Sequence, residues 1–257
     1  MANKLLVPAL GALLYMTVSG RAGIIPPDTF ILGGDEGLTE ETPYSASLRV
    51  DNAHVCGASI VGSTTLLTAA HCVYRNGLII DPSRVSVRVG STNQYAGGSI
   101  VRVSQITPHP NYFNLQNNLA VITLSTPLTW TERIQPIELA SGEDDLPEVG
   151  ATIGVAGWGH TQDGTTSYKI RVLQLKLADS EVCKDAYTEQ DEKSFCLAHA
   201  LKEGTCYGDG GGAAVSNGKL LGVTNFVVGA CGSRYPDVFV RVSRYADWLN
   251  PLLQEEN

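Results

Sequence analysis

The sequence predicts an all-β domain, a barrel or a sandwich. Three observations carry that expectation: short alternating runs such as Val85-Ser86-Val87-Arg88-Val89, clusters of Gly, Pro, Asn and Asp between such runs, and a scarcity of long helical periodicities. Alternation puts successive side chains on opposite faces of a sheet, and closely spaced turn residues bring the chain back on itself. The exception is the tail, Ser243 to Leu253, where Tyr245, Trp248, Leu249 and Leu252 recur near helical spacing. A C-terminal helix is expected there, with Ser243 as its cap and Pro251 as its early end.

Read from the start, Lys4 precedes a largely apolar stretch from Leu5 to Val18, followed by the small-residue segment Ser19-Gly20-Arg21-Ala22. That is the layout of a secretory signal peptide, assigned to residues 1–22. The stretch is shorter than the run of about 18 apolar residues that a membrane span needs. Residues 23–30, with Pro26-Pro27, read as a propeptide, and a compact domain is expected over residues 31–257. Ser125 to Gly150, rich in Pro, Thr and acids, reads as a connector between two halves, and no internal repeat is visible.

With 257 residues, 43% of them hydrophobic, the chain can bury a substantial core. Six cysteines in an exported chain suggest a disulfide framework, although about 15 pairings are open to six cysteines and composition selects none. There is no Cys-x-x-Cys pair, which argues against zinc ribbons and thioredoxin-like redox sites. Removing residues 1–22 takes away Lys4 and Arg21 and leaves 16 bases against 26 acids, a formal charge of −10. Such a chain is a poor partner for nucleic acid, anionic membranes or sulfated polysaccharides. Glu143-Asp144-Asp145 and Glu189-Gln190-Asp191-Glu192 read as solvated loop charge. The five histidines show no His-x-x-x-His spacing, Gly208 to Lys219 lacks the Gly-Lys-Ser/Thr ending of a phosphate loop, and no Asn-x-Ser/Thr sequon occurs. No metal and no cofactor are expected.

Three segments bear on chemistry: Thr68-Ala69-Ala70-His71-Cys72, Asn117-Asn118-Leu119-Ala120-Val121-Ile122 and Gly208-Asp209-Gly210-Gly211-Gly212. With Ile31-Leu32-Gly33-Gly34, Cys56-Gly57-Ala58-Ser59-Ile60, His109-Pro110-Asn111-Tyr112, Gly157-Trp158-Gly159 and Pro236-Asp237-Val238-Phe239 in this order, the chain resembles the chymotrypsin and trypsin family from Ile31 to about Asn250. The resemblance implies two antiparallel six-stranded β-barrels with a cleft between them and a C-terminal helix. It also implies the pairs Cys56 with Cys72, Cys183 with Cys196, and Cys206 with Cys231; crosslinks of such spans are worth about 3 kcal/mol each.

That family's chemistry needs a hydroxyl to attack, an imidazole to take its proton, and a carboxylate to fix the imidazole tautomer. By the resemblance, His71 is the imidazole, Asn118 stands at the carboxylate position and Gly210 at the nucleophile. An amide in place of the carboxylate costs about 10⁴ in turnover, and a glycine cannot form an acyl-enzyme at all. Ser216 and Thr205 are the nearest other hydroxyls on either side, and neither falls at the turn that presents the attacking atom. Ile31 and Asp209 match a vestigial activation pair, but Phe30 stands where trypsin-like processing wants Arg or Lys. The base of the specificity pocket falls near Gly204, which offers no charge, and its wall becomes Asn225-Phe226-Val227, with Val227 crowding the entrance. Ala213 replaces the proline that usually follows the glycine pair. The segment between Gly90 and Ile100, where some relatives hold calcium with acids, has none. Tyr112, Phe113, Tyr207 and Phe226 could ring the cleft, as packing or as anchors for a partner.

The signal segment, the Ile-Leu-Gly-Gly start and the Asn118 and Gly210 substitutions are similar to the glucanase inhibitor proteins of plant-pathogenic oomycetes. What that likeness implies is a secreted effector in the host apoplast, a monomer until it binds a host endo-β-1,3-glucanase. One alternative is a decoy or regulatory pseudo-protease that engages protease inhibitors or substrates through the cleft and loses binding when the cleft is filled at Gly204 or Gly210. Another is an active hydrolase with rebuilt machinery. Which surface would bind a partner is not legible in the sequence.

Overall fold

The structure, a computed structural model, describes residues 32–142, 145–187 and 191–254. Residues 1–31, with the signal and propeptide segments and Ile31, lie outside them, as do Glu143, Asp144, Glu189 and Gln190. Twelve strands build two closed barrels. The first contains β1 (Ser45–Val50), β2 (Ala53–Ile60), β3 (Thr65–Thr68), β4 (Val85–Val89), β5 (Ser99–Pro108) and β6 (Ala120–Leu124) in the ring order β1-β2-β3-β6-β5-β4. The second contains β7 (Thr152–Gly157), β8 (Arg171–Leu177), β9 (Ser194–Ala198), β10 (Ala213–Ser216), β11 (Lys219–Phe226) and β12 (Asp237–Arg241). Its ring runs β7-β8-β9-β12-β11-β10, closed by the antiparallel pairing of β7 with β10. Each barrel thus joins its first, second, third, sixth, fifth and fourth strands. This repeat of topology has no counterpart in the sequence, because ring order follows from turn positions and inward-outward alternation rather than residue identity.

The alternation of β4 works as its pattern predicts: Val85, Val87 and Val89 enter the first core, while Ser86 and Arg88 face outward. The outward pair is nonetheless buried. The loop after Gly90 folds over it, with Arg88 donating to the carbonyls of Tyr95 (3.1 Å) and Gly97 and Ser91 Oγ donating to that of Asn93 (2.8 Å). The second core gathers Ile153, Leu175, Leu197, Leu221 and the stacked rings of Phe195 and Phe239, 5.5 Å apart.

The connector from Ser125 to Gly150 rides first on one barrel and then on the other. Leu128 donates to the Ser63 carbonyl (2.7 Å) and Ile137 to that of Ile60 (2.9 Å), and Glu138–Leu139 then pair in parallel with Lys219–Leu220. At its end Asp145 departs from the expected solvated charge: its side chain is buried and receives the Arg241 guanidinium, Nε at 2.8 Å. A carboxylate taken out of water requires such a partner.

The tail also differs from its expectation. A 3₁₀ turn, Val242–Tyr245, precedes the helix α2 (Ala246–Gln254), so Ser243 lies inside the turn and makes no cap bond. Pro251 does not end α2; it lacks the N–H that would reach the Asp247 carbonyl, but Trp248, Leu249, Leu252 and Leu253 all pack into the larger hydrophobic core and hold the turn beyond it. A seven-residue helix α1 (Ser180–Ala186), capped by Asp179 accepting from Glu181 N at 2.9 Å, is too short to have shown a period in the sequence. All six cysteines are paired: Cys56–Cys72, Cys183–Cys196 and Cys206–Cys231, with Cα separations of 6.1, 5.6 and 5.2 Å.

Phe239 is fully buried against Phe195 in the second barrel. Phe239→Ala is expected to lower unfolding stability by about 3–5 kcal/mol in urea titrations, the usual cost of an emptied aromatic site. A loss below about 1 kcal/mol would mean that this barrel does not depend on the stacked pair.

Candidate functional site

The cleft between the barrels holds a cavity of about 480 Å³, with His71, Leu115, Thr205, Tyr207, Gly210 and Val227 among its lining residues. His71 lies in the 3₁₀ turn Ala70–Val73 after β3, and Asn118 lies just before β6. The preceding residue, Asn117, takes φ 48°, a left-handed conformation that Asn tolerates and that carries Asn118 into the interior. Gly210 sits on the turn that enters β10, and Asn225 stands near the end of β11. The fold therefore brings His71, Asn118 and Gly210 together.

The Asn118 amide has its orientation fixed by two of its contacts. Its Oδ1 accepts from the His71 backbone N–H (2.8 Å), and its Nδ2 donates to Asn225 Oδ1 (2.6 Å). The same Nδ2 lies 2.8 Å from His71 Nδ1 and can only donate there, so Nδ1 is the bare nitrogen of a neutral ring and the proton resides on Nε2. That is the reverse of what a general base needs, since Nε2 must be free to accept the nucleophile's proton. Nε2 faces the disulfide sulfurs instead, 3.5 Å from Cys72 Sγ and 4.0 Å from Cys56 Sγ. Burial favours the neutral imidazole and holds the His71 pKa below its ordinary value. Cys56, His71 and Cys72 are the only cluster of metal-ligating types among the described residues, and both sulfurs are committed to the disulfide.

Position 210 lacks a hydroxyl and also the room for one. A Cβ there would lie 2.7 Å from His71 Nε2 and 3.0 Å from Cε1, so the ring has taken the space of the absent side chain. The other hydroxyls do not replace it. Thr205 Oγ1 is buried and donates to Asp237 Oδ2 at 2.9 Å, while Ser216 pairs with Lys219 at the β10–β11 hairpin, outside the cleft lining.

Asp209 is more than a turn former. Its buried carboxylate accepts from Gly159 N (2.8 Å) and Cys206 N (2.9 Å), tying two cleft loops together. Burial pushes its pKa up to about 7, aided by the charge of Asp237 and opposed by the two amides. Ile31, its expected partner, lies outside the described residues; the next residue, Leu32, is buried and accepts from Gly204 N at 2.9 Å.

Gly204, expected at the pocket base, lies beside a buried acid–imidazole pair. Gly204 takes φ 119° and does not line the cavity, and a Cβ there would lie 2.7 Å from Asp237 Oδ2 and 3.0 Å from the His199 ring. The acid, Asp237, comes from β12 and the imidazole, His199, from the loop after β9, and the sequence pattern gives neither a role in the site. A lone histidine and a strand aspartate 38 positions apart carry no spacing signal. Of the four cleft aromatics, Tyr112 packs against Tyr74 (5.2 Å) and Phe226 against Tyr187 (4.9 Å). Phe113 and Tyr207 are 76% and 63% exposed, which leaves those two as candidate anchors at the rim.

A family profile described as Trypsin matches residues 31–249. Among curated relatives, serine protease SP24D of Anopheles gambiae is 32% identical over 87% of this chain and 81% of its own length, and trypsin epsilon of Drosophila erecta is 30% identical over 96% and 98%. Among solved structures, the scabies mite inactivated protease paralogue S-D1 superposes with a TM-score of 0.78 at 28% identity, covering 87% of this chain and 97% of the other.

Gly210→Ser, alone or with Asn118→Asp, is expected to give no measurable peptide-ester turnover, because the returning side chain meets the His71 ring; a burst of acyl-enzyme from either variant would refute the geometry. A second expectation concerns pH. Burial pushes the His54 pKa down to about 4, against the Gly208 carbonyl and with help from Arg49 and His160. A base with a depressed folded pKa contributes stability that is complete above its unfolded value of about 6.5 and is lost as pH falls toward 4, up to about 3 kcal/mol. Asp209, with its raised pKa, acts with the opposite sign between about 4 and 7. The His54 share is therefore read as the difference in urea stability between wild type and His54→Gln, which is expected to shrink from pH 7 to pH 4.5.

Proposed function

The chain belongs to the trypsin family, and on that premise we propose that it is a secreted, non-catalytic member that acts by binding, as an inhibitor of host plant endo-β-1,3-glucanases in the apoplast. The observation that carries the non-catalytic part is position 210, where there is neither a hydroxyl nor space for one beside a His71 in the wrong tautomer. Three paired disulfides suit an oxidising, extracellular compartment. The inactivated scabies mite paralogue supports the idea that this fold can be kept without its activity. The glucanase target comes from the sequence resemblance, carried by the Ile31-Leu32-Gly33-Gly34 start and the Asn118 and Gly210 substitutions. No cofactor, nucleic acid or membrane is needed for this role, and the protein is a monomer until it binds its partner.

The surviving cavity favours one second reading, a decoy that holds protease inhibitors or substrates in the cleft. Gly204 is unsuitable for testing it, because a side chain there strikes the buried Asp237 and His199 rather than filling the cleft. Val227, which lines the cavity and is half-buried, is the better position. The purified protein is expected to retain an endo-β-1,3-glucanase from plant apoplastic extract and to lower its hydrolysis of laminarin, with Val227→Trp binding equally well. Retention of protease inhibitors alone, abolished by Val227→Trp, would replace this reading with the decoy. Peptide-ester turnover that disappears in His71→Ala would replace both with a hydrolase.

A further inference from the structure

A second cavity, of about 510 Å³, lies where residues 41–44 meet the outer face of the second barrel, and it shares no lining residue with the cleft. Strand alternation makes that face. Ile153 and Val155 of β7 and Leu175 of β8 enter the second core, which leaves Thr152, Gly154 and Gln174 on the outside. In the register, Gly154 stands opposite Gln174 on one side and Val215 of β10 on the other, so the position without a side chain becomes the bottom of a furrow. The fold does not require glycine there. A Cβ would lie 3.4 Å from Gln174 Nε2 and 3.7 Å from the Val215 carbonyl, both ordinary contacts.

The polar groups along the furrow are mostly neutral and lack partners. The side chains of Gln174, Ser216 and Asn217 and the Tyr44 hydroxyl make no hydrogen bond among the described residues, and Thr42 Oγ1 is buried without one. Burial keeps the Tyr44 phenol protonated by pushing its pKa up to about 12. Each amide presents a donor beside an acceptor, and each hydroxyl presents both on one atom. Glu41 is the one charged lining residue, and its Oε2 already accepts from Leu38 N at 2.9 Å. Outside the lining, Lys176 Nζ donates to Thr152 Oγ1 at 2.5 Å.

We propose that this furrow is a binding site for a short neutral oligosaccharide. A pyranose carries hydroxyls around its edge, each a donor and an acceptor, and C–H groups on its two faces. The unpaired amides and hydroxyls match the edge, and Val172 and Val215 offer apolar surface to a face. Other ligand classes fit less well. An anion would meet no Lys, Arg or His in the lining, and an organic cation would meet only an exposed carboxylate that is already bonded. An apolar ligand would cover the amides and hydroxyls without satisfying them, which is costly. The volume lies within the range of about 300–1,000 Å³ usual for small-molecule sites. The furrow and the proposed protein partner are independent, so either can fail without the other.

The test is a nitrogen-15 NMR titration of the full secreted protein at pH 7 with laminaritriose, cellotriose, maltotriose and, as an acidic counterpart, trigalacturonate. At least one neutral sugar is expected to shift the backbone amides of Tyr44, Gly154 and Gln174 in a saturable way, and trigalacturonate is expected to leave them in place. Gln174→Ala, an exposed substitution, is expected to weaken binding about fivefold, the share of one or two hydrogen bonds. Gly154→Phe fills the furrow and is expected to abolish binding, with the dispersion of the remaining spectrum showing that the barrels are intact. Should Gly154→Phe fail to fold, Tyr44→Phe, which loses a single oxygen, is read instead and is expected to weaken binding about fivefold. The proposal is overturned by the absence of shifts at about 20 mM of every neutral sugar. Shifts confined to cleft residues such as Tyr207, preference for trigalacturonate, or undiminished binding by the variants would overturn it equally.

Discussion

A neutral amide sets the state of the cleft. Asn118 joins the His71 backbone, the His71 ring and Asn225 through one oxygen and one nitrogen, linking the turn after β3, the entry to β6 and the end of β11. Because its oxygen is committed to a backbone N–H, the nitrogen must face the imidazole, and the ring must present a lone pair to it. A carboxylate would accept at every contact and would charge-stabilise a protonated ring; the amide does neither. The tautomer of the ring follows from that one donor, while burial keeps the ring neutral and lowers its pKa.

The two barrels meet at this point, each contributing a different kind of rigidity. The first holds His71 by a disulfide and a short turn against a core that extends to α2. The second holds the Gly210 turn through Asp209, whose carboxylate clasps Gly159 and Cys206. A buried carboxylate satisfied by amides but raised toward neutrality is a costly element in isolation. The same two loops are also joined by the His160 N–H donating to the Tyr207 carbonyl at 2.7 Å.

Much of the fold was legible because its signals are local. The Val85–Val89 alternation marked a strand with the correct inward face, and the apolar spacing after Ser243 marked the final helix. The errors have local causes too. Pro251 was read as a terminator because the sequence does not show how much of α2 is packed against the barrel, and Asp145 was read as solvated because its partner, Arg241, is 96 residues away. At the site, His71, Asn118 and Gly210 were legible through motif order, while the pair beneath them was not. Asp237 lies in a segment that marked a strand but gave it no polar role, His199 in one with no pattern, and the pairing of β9 with β12 brings them together. The placement of the imidazole in the space beside Gly210 is likewise a matter of packing that no spacing rule encodes.

The closure of both rings limits how such a molecule can meet others. An open sheet offers a row of unpaired amides and carbonyls along its margin, onto which a visiting chain can lay itself and extend the sheet. In each of these barrels the first strand is already bonded to the fourth, so that margin does not exist. Open margins lie outside the barrel walls, as on the two-stranded ribbon of Tyr74–Arg75 with Leu78–Ile79, and the loops can vary in sequence and length with little effect on the hydrogen-bonded walls. A scaffold of this kind can change its acquaintances without being rebuilt.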